Sequence, residues 1–220
     1  MINLSEITKQ HFNERDVEVP AFLKFLKESA SDCQSLLDVG AYYSYATYAK
    51  DARAIFTGKL YDACDIRPDS ISSEIVDNYF TGNITELQLN SYDLISCISV
   101  IEHCGITTYE KQDIAQEQID VFIRLCSLAN KGMYLSFPFG KPGMIVDQYS
   151  NISEELLNKF TKIWKGEKGP EAQVSVQFFY NNFAPRGEPW VELDFSAAAQ
   201  IPIREDLGLV QCVCVFEARC

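Results

Sequence analysis

The chain has 220 residues, 47% hydrophobic and 23% charged, with a formal net charge of −12. That hydrophobic fraction excludes a disordered chain and suffices for one core, so a single domain over 1–220 is expected. So acidic a chain lacks the basic stripe that nucleic-acid backbones need, and no run approaches the ~20 apolar residues of a membrane span. The opening MINLSEITKQHFNERD carries no basic-then-apolar leader, which points to a cytoplasmic protein.

Along the chain, apolar runs alternate with amphipathic stretches. Pro20 at a helix start, followed by Phe22, Leu23, Phe25 and Leu26, predicts a helix over 20–31. SLLDV at 35–39 reads as a buried strand closed by Gly40, and YYSYATYAKDA at 42–52 as the helix after the turn. KLYDACD at 59–65 reads as a second strand, and 76–80 as a short third. YDLISCISV at 92–100 is continuously apolar, as a strand buried on both faces should be. A long amphipathic helix is predicted over 108–129, from Ile114, Ile119, Phe122, Ile123, Leu125 and Leu128. MYLSF at 133–137 is the next strand. The helix over 153–164 has Ser153 as N-cap and Glu154 and Glu155 in its first turn. Late strands at 174–180 and 209–217 flank an irregular excursion with Pro185, Gly187, Pro189 and Pro202.

This alternation predicts an α/β fold: a Rossmann-like open twisted sheet, mostly parallel with an antiparallel C-terminal strand, and helices on both faces. Ligands of such sheets lie beyond the carboxyl ends of the strands, near the switch in strand order. The eight cysteines include no C-x-x-C pair and no zinc spacing, so no metal site is assigned. Cys64, Cys97, Cys126, Cys212 and Cys214 sit in apolar runs and read as buried thiols. Cys104, beside a histidine at a strand end, is the one to watch for reactivity.

The chemistry is therefore sought after each strand. LLDVGAYYSY at 36–45 lacks the later glycines of a dinucleotide fingerprint, which argues against NAD or FAD there. It suits a ligand needing one tight turn and one acid. Asp65, in DACDIRP, can accept two hydrogen bonds from a ribose diol, and Ile66 can cover an adenine face. Asn83, in TGNIT, offers an amide suited to a base edge, although an asparagine there also suits a plain turn. His103, at the end of SVIEH, has an unperturbed pKa of about 6.5 that fits a general base.

These segments, in this order, resemble the class I S-adenosylmethionine-dependent methyltransferases. The likeness is nearest to small bacterial enzymes tied to cell-surface glycan and sugar pathways. The pattern is Asp38–Gly40 with Ser44, then Asp65–Pro68, Gly82–Ile84, and Ser99–His103 with Gly105; SFPFG at 136–140 adds the strand-end motif. Asn83 stands where the family commonly has Asp. The resemblance implies S-adenosylmethionine as cofactor and 34–141 as a cofactor-binding core. An N-terminal helical segment, 1–33, precedes it, and a substrate-side part, 142–220, follows. Asp38 and Gly40 would hold the methionine end, Asp65 the ribose, and Ile66, Asn83 and Ile84 the adenine, with Ala41 and Ser44 also in the cofactor site. Ser99 would stand near the sulfonium.

His103 is then the candidate base, with a structural hydrogen-bonding role as its alternative, and Glu102 either orients it or caps the following loop. A metal-assisted variant would add Asp147. Phe139, Tyr149 and Tyr180 are the candidate acceptor contacts, although ordinary core and rim packing is the commoner role of such aromatics. The expected reaction is O-methylation of a sugar, a nucleotide-sugar or another small polar metabolite. A non-catalytic binding or scaffold protein with an eroded cofactor site is the alternative, motivated by the reduced glycine turn and Asn83.

Overall fold

The structure is a computed structural model that describes residues 14–68, 74–106, 114–145, 149–181, 190–202 and 210–220. Five parallel strands lead: β1 (Ser35–Val39), β2 (Leu60–Asp65), β3 (Tyr79–Thr81), β4 (Tyr92–Ile98) and β5 (Ala129–Pro138). A two-stranded pair follows, β6 (Met144–Ile145) and β7 (Tyr149–Ser150), then β8 (Gln173–Tyr180), β9 (Val191–Leu193) and β10 (Cys212–Arg219). The main sheet runs β3-β2-β1-β4-β5-β10-β8-β9, with β10 antiparallel to both neighbours. The order reverses between β1 and β4, so the switch point falls there.

The strands are apolar on both faces because helices cover both. Odd-numbered residues of β1 and β4, such as Leu37, Ile95 and Cys97, face α3 (Ile114–Leu128) and α4 (Glu154–Lys168). Even-numbered Leu36, Leu94 and Ile98 face α1 (Arg15–Ser29) and α2 (Ala49–Ile55). Phe122 and Phe160 stack at 4.3 Å where α3 meets α4. Across the sheet, Phe22 and Phe25 pack on Tyr134 with ring centres 5.3 and 5.8 Å apart. Cys64, Cys97, Cys126, Cys212 and Cys214 are buried free thiols of the α3–α4 face, as expected from their apolar runs. No helix among the described residues is long and apolar enough to cross a membrane.

The predicted elements appear with shifted bounds, β5 starting at Ala129 rather than 133 and α4 running on to Lys168. α1 begins at Arg15, with Pro20 inside it rather than at its start. Its first turn is anchored from outside, because the Tyr134 hydroxyl donates to the Glu18 carbonyl at 2.8 Å. The stretch 42–52 is not one helix: a 3-10 helix, Ala41–Ala46, breaks at Thr47 before α2. Tyr48 leaves helical geometry there while its hydroxyl reaches back to Asp38. The late excursion also carries β9 and a short α5 (Phe195–Ala198). Ser153 caps α4 as the sequence predicts, its side chain accepting from the Leu156 amide at 3.3 Å. The start predicted for α3 at 108 falls outside the described residues.

Candidate functional site

Backbone hydrogen bonds join the carboxyl ends of the parallel strands into one edge. The Gly40 amide donates to the Cys64 carbonyl at 2.8 Å, Gly82 to Asp65 at 2.9 Å and Ser99 to Ser136 at 2.9 Å. Gly40 has φ +77, and a Cβ there would lie 2.0 Å from Val100 Cγ2. The missing side chain therefore seats Val100 and locks the turn after β1 to the turn after β4.

Asp38 does not face this edge, which corrects its expected role at the methionine end. Its carboxylate is fully buried in the α1–α2 face. Ser96 donates to it at 2.8 Å, Tyr48 at 3.1 Å and Tyr61 at 3.3 Å. Burial nevertheless pushes its titration up to about 6, against the pull of those hydroxyls. Ala41 is buried beside it, and the Ser44 hydroxyl turns back to the Ala41 carbonyl at 2.7 Å. These side chains brace the turn.

Asp65 stands at the β2 end. It accepts from the Tyr42 amide at 3.1 Å and from the Arg67 amide and Nε at 2.9 and 3.1 Å. The Arg67 guanidinium lies 4.1 Å from the Tyr42 ring centre and 4.8 Å from that of Tyr43. Ile66 is 70% exposed and Tyr43 61%, an uncovered apolar rim beside the carboxylate. Asn83 takes the turn alternative: it is exposed and its side chain accepts from the Thr85 amide at 3.2 Å. Ile84 is buried in the α3–α4 core rather than on the rim.

The β4 and β5 ends carry a group that pattern reading missed. Ser99, at φ 50, holds a backbone conformation that L-residues rarely adopt. Its hydroxyl donates to Glu18 Oε1 at 2.6 Å, while Arg15 Nη1 reaches Glu18 Oε2 at 2.7 Å. Ser136 faces the same carboxylate from β5, close enough to favour its charge, yet its buried hydroxyl makes no hydrogen bond. Glu102, in the 3-10 turn Ile101–His103, is equally buried, and its Oε2 has no hydrogen-bond partner.

Burial raises the Glu18 carboxyl, with Arg15 and the hydroxyls of Ser99 and Ser136 opposing. Burial also drives Glu102 well above the ordinary carboxylate range; Glu18 and Glu14 add to the push and Arg15 opposes it. The sequence held a signal for Glu18: it interrupts the apolar stripe Val17, Ala21, Phe22, Phe25, Leu26 of α1. A helix taken to start at Pro20 leaves it out of view.

His103 follows, 51% exposed at its side chain, with Nε2 4.0 Å from Glu102 Oε1. The Cys104 thiol points to the Val100 carbonyl at 3.6 Å, and burial pushes its titration up to about 12, so it is no reactive thiolate. Phe139 is corrected from acceptor contact to core: its ring is fully buried, 4.6 Å from Phe178 and 6.0 Å from Phe195. Tyr180 is half-buried at the end of β8, paired with Cys212 and Val191. Tyr149 lies in β7, with its side chain outside the described set, and Asp147 falls outside the described residues. Among the described residues no group of three or more His, Cys, Asp or Glu is placed to hold a metal ion.

No family model matches the chain, and no curated protein matches its sequence. Solved structures do match its fold. A plantazolicin methyltransferase, solved with a substrate analogue and S-adenosylhomocysteine (SAH), superposes at TM-score 0.54 and 11% identity over 94% of this chain and 85% of that one. An amino pentose methyltransferase from Micromonospora echinaspora, solved with S-adenosylmethionine, gives TM-score 0.53 at 9% identity over 92% and 90%. The magnesium protoporphyrin IX methyltransferase of Synechocystis PCC 6803 gives 0.51 at 12% over 96% and 86%. The chain thus has the Rossmann-like fold found in S-adenosylmethionine-dependent methyltransferases.

Proposed function

We propose that this protein is an S-adenosylmethionine-dependent methyltransferase acting on a hydroxyl of a sugar or another small polar metabolite. The observation that carries the reading is Asp65, a carboxylate at the β2 end beside an exposed Ile66, one strand from the switch point. When bound, S-adenosylmethionine supplies a methyl group on a positively charged sulfur, primed for displacement.

The rest falls to the chain. Asp65 can accept from a ribose diol, as it already accepts from the Tyr42 and Arg67 amides, and Ile66 offers an apolar face for a base. Gly40 and Val100 fix the two turns that flank the switch point. Acids buried near Ser99 suit a cationic ligand, because a positive charge relieves the cost of ionising them. The orphaned Glu102 Oε2 favours this ligand-binding reading over an eroded scaffold. His103, exposed at the β4 end with Nε2 4.0 Å from Glu102 Oε1, can take the proton of an acceptor hydroxyl.

Isothermal calorimetry with SAH tests the cofactor directly, and transfer of labelled methyl to a panel of sugars and nucleotide-sugars tests the acceptor. Binding with labelled product is expected. No heat at millimolar ligand would overturn the proposal. His103→Ala should cut turnover by about 100-fold or more while leaving SAH binding in place.

A further inference from the structure

Among the described residues, the edge beyond β4 and β5 gathers more carboxyl groups than cations. Glu14, Glu18 and Glu102 act on one another there, and Arg15 is the cation that opposes them. Arg15 and Ser99 occupy the two Glu18 oxygens. That leaves Glu102 Oε2 without a partner although its residue is 2% exposed. From a different strand, the Ser136 hydroxyl faces Glu18, fully buried and also unbonded. An unmade hydrogen bond at a buried polar atom costs about 1–3 kcal/mol, more for a charged group. Two of them flanking one carboxylate pair are the mark of a site completed by a ligand, not of a finished core.

A donor completes both atoms, because an ionised Glu102 Oε2 accepts from it and a hydroxyl can always offer a lone pair. It should also be positive, because a positive charge relieves the cost of ionising these acids, and Arg15 is the cation beside them among the described residues. A primary ammonium meets both needs: it has several donors, one charge and a small radius. We propose that Glu102 Oε2 and Ser136 Oγ, backed by Glu18 and Ser99, form a buried subsite for the ammonium group of a small ligand. Arg15, the outermost member with a part-exposed guanidinium, closes it.

Two sources of that ammonium reach the site if the methyltransferase reading holds. Strands lie about 4.8 Å apart, so Ser99, just past the end of β4, is roughly 10 Å across the edge from Asp65 on β2. The amino-acid end of the cofactor spans such a distance, and so does an amine-bearing sugar docked beside it. The shared chemistry is the proposal; the source is decided by experiment.

Calorimetry on the full chain uses two matched pairs of probes. SAH carries the ammonium and 5′-methylthioadenosine lacks it; glucosamine carries one and glucose lacks it, both added to the SAH-loaded protein. Glu102→Gln and Ser136→Ala are expected to weaken the ammonium-bearing member of one pair by tenfold or more and leave its partner unchanged. The nucleoside pair responding assigns the cofactor as source, and the sugar pair responding assigns the acceptor. The Ser136 hydroxyl makes no hydrogen bond in the structure, so its alanine variant should fold normally and keeps the test sound should Glu102→Gln not fold. If every probe responds alike to both variants, the subsite is overturned and the methyltransferase reading stands. If the wild-type protein binds neither nucleoside yet prefers glucosamine to glucose, the subsite stands and that reading fails. No binding of any probe overturns both.

Discussion

On the β1–β2 side, Asp38 within the α1–α2 face and Asp65 at the strand end receive hydrogen bonds from hydroxyls, backbone amides and Arg67. On the β4–β5 side, Glu18 and Glu102 share one arginine, and Glu102 Oε2 is left unbonded. Both sides bury carboxylates with comparable completeness, so depth alone does not separate them. What separates them is satisfaction. A buried acid ringed by donors organises the fold, whereas a buried acid missing a donor stores a cost that a ligand can remove.

The largest expected effect breaks the satisfied side. Asp38→Ala strips the acceptor from Ser96, Tyr48 and Tyr61 at once. It should lower unfolding free energy by about 3–5 kcal/mol, read from the urea midpoint. A loss under about 1 kcal/mol would show that the three hydroxyls find other partners and that the two sides do not differ as argued.

The next effect concerns protons. The Asp38 carboxyl titrates near 6 in the folded chain against an ordinary 3.8, so the folded state binds more protons than the unfolded state between those values. Stability is therefore greatest on the acid side and falls as pH rises through about 6, by of order 3 kcal/mol from this group. Glu18 and Glu102 are raised in the same direction and deepen the loss. Thermal unfolding of the ligand-free protein should show a higher Tm at pH 5 than at pH 8. Glu102→Gln should raise the pH 8 value, because it removes an acid whose ionisation the fold resists. A profile that rises with pH would contradict both statements.

Gly40 ties the two sides together and allows a sharper cut. Gly40→Ala forces a left-handed backbone on a residue with a Cβ and drives that Cβ into Val100. The expected cost is about 2–4 kcal/mol. Pairing it with Val100→Ala should recover part of the loss, since the clash is with that side chain. Recovery of more than half would assign the cost to the clash, and none would assign it to the backbone.

Much of this edge was legible in the sequence because strand ends are marked twice, by the close of an apolar run and by a glycine or acid after it. Gly40, Asp65, Gly82 and Ser99 were found that way, and they do sit on one edge. What pattern could not supply was direction. Asp38 and Asp65 look alike as acids near strand ends, but the alternation of the strand turns Asp38 into the α1–α2 face. Phe139 looks like a rim aromatic, yet its ring meets Phe178 and Phe195. Glu18 shows in the sequence only as a break in the apolar stripe of α1; its role does not, because its partners lie 81 residues away at Ser99 and 116 away at Tyr134, contacts that exist only once α1 docks on the sheet.

The smallest expected effect concerns Arg67, which makes Asp65 a satisfied acid of an exchangeable kind. Its Nε contact at 3.1 Å comes from a side chain 43% exposed, so solvent screens the pair and its loss should cost under about 0.5 kcal/mol of stability. The Arg67 and Tyr42 amides remain on the carboxylate in Arg67→Ala, which keeps Asp65 in place while freeing its outer lone pairs. A ribose diol then faces one competitor fewer. SAH should bind a few-fold tighter, worth about 0.5–1 kcal/mol, in calorimetry at low salt. Tenfold weaker binding would mean that the guanidinium, held between Tyr42 and Tyr43, contacts the ligand itself. Asp65 would then belong with Glu102 as an acid whose surroundings are completed by what it binds.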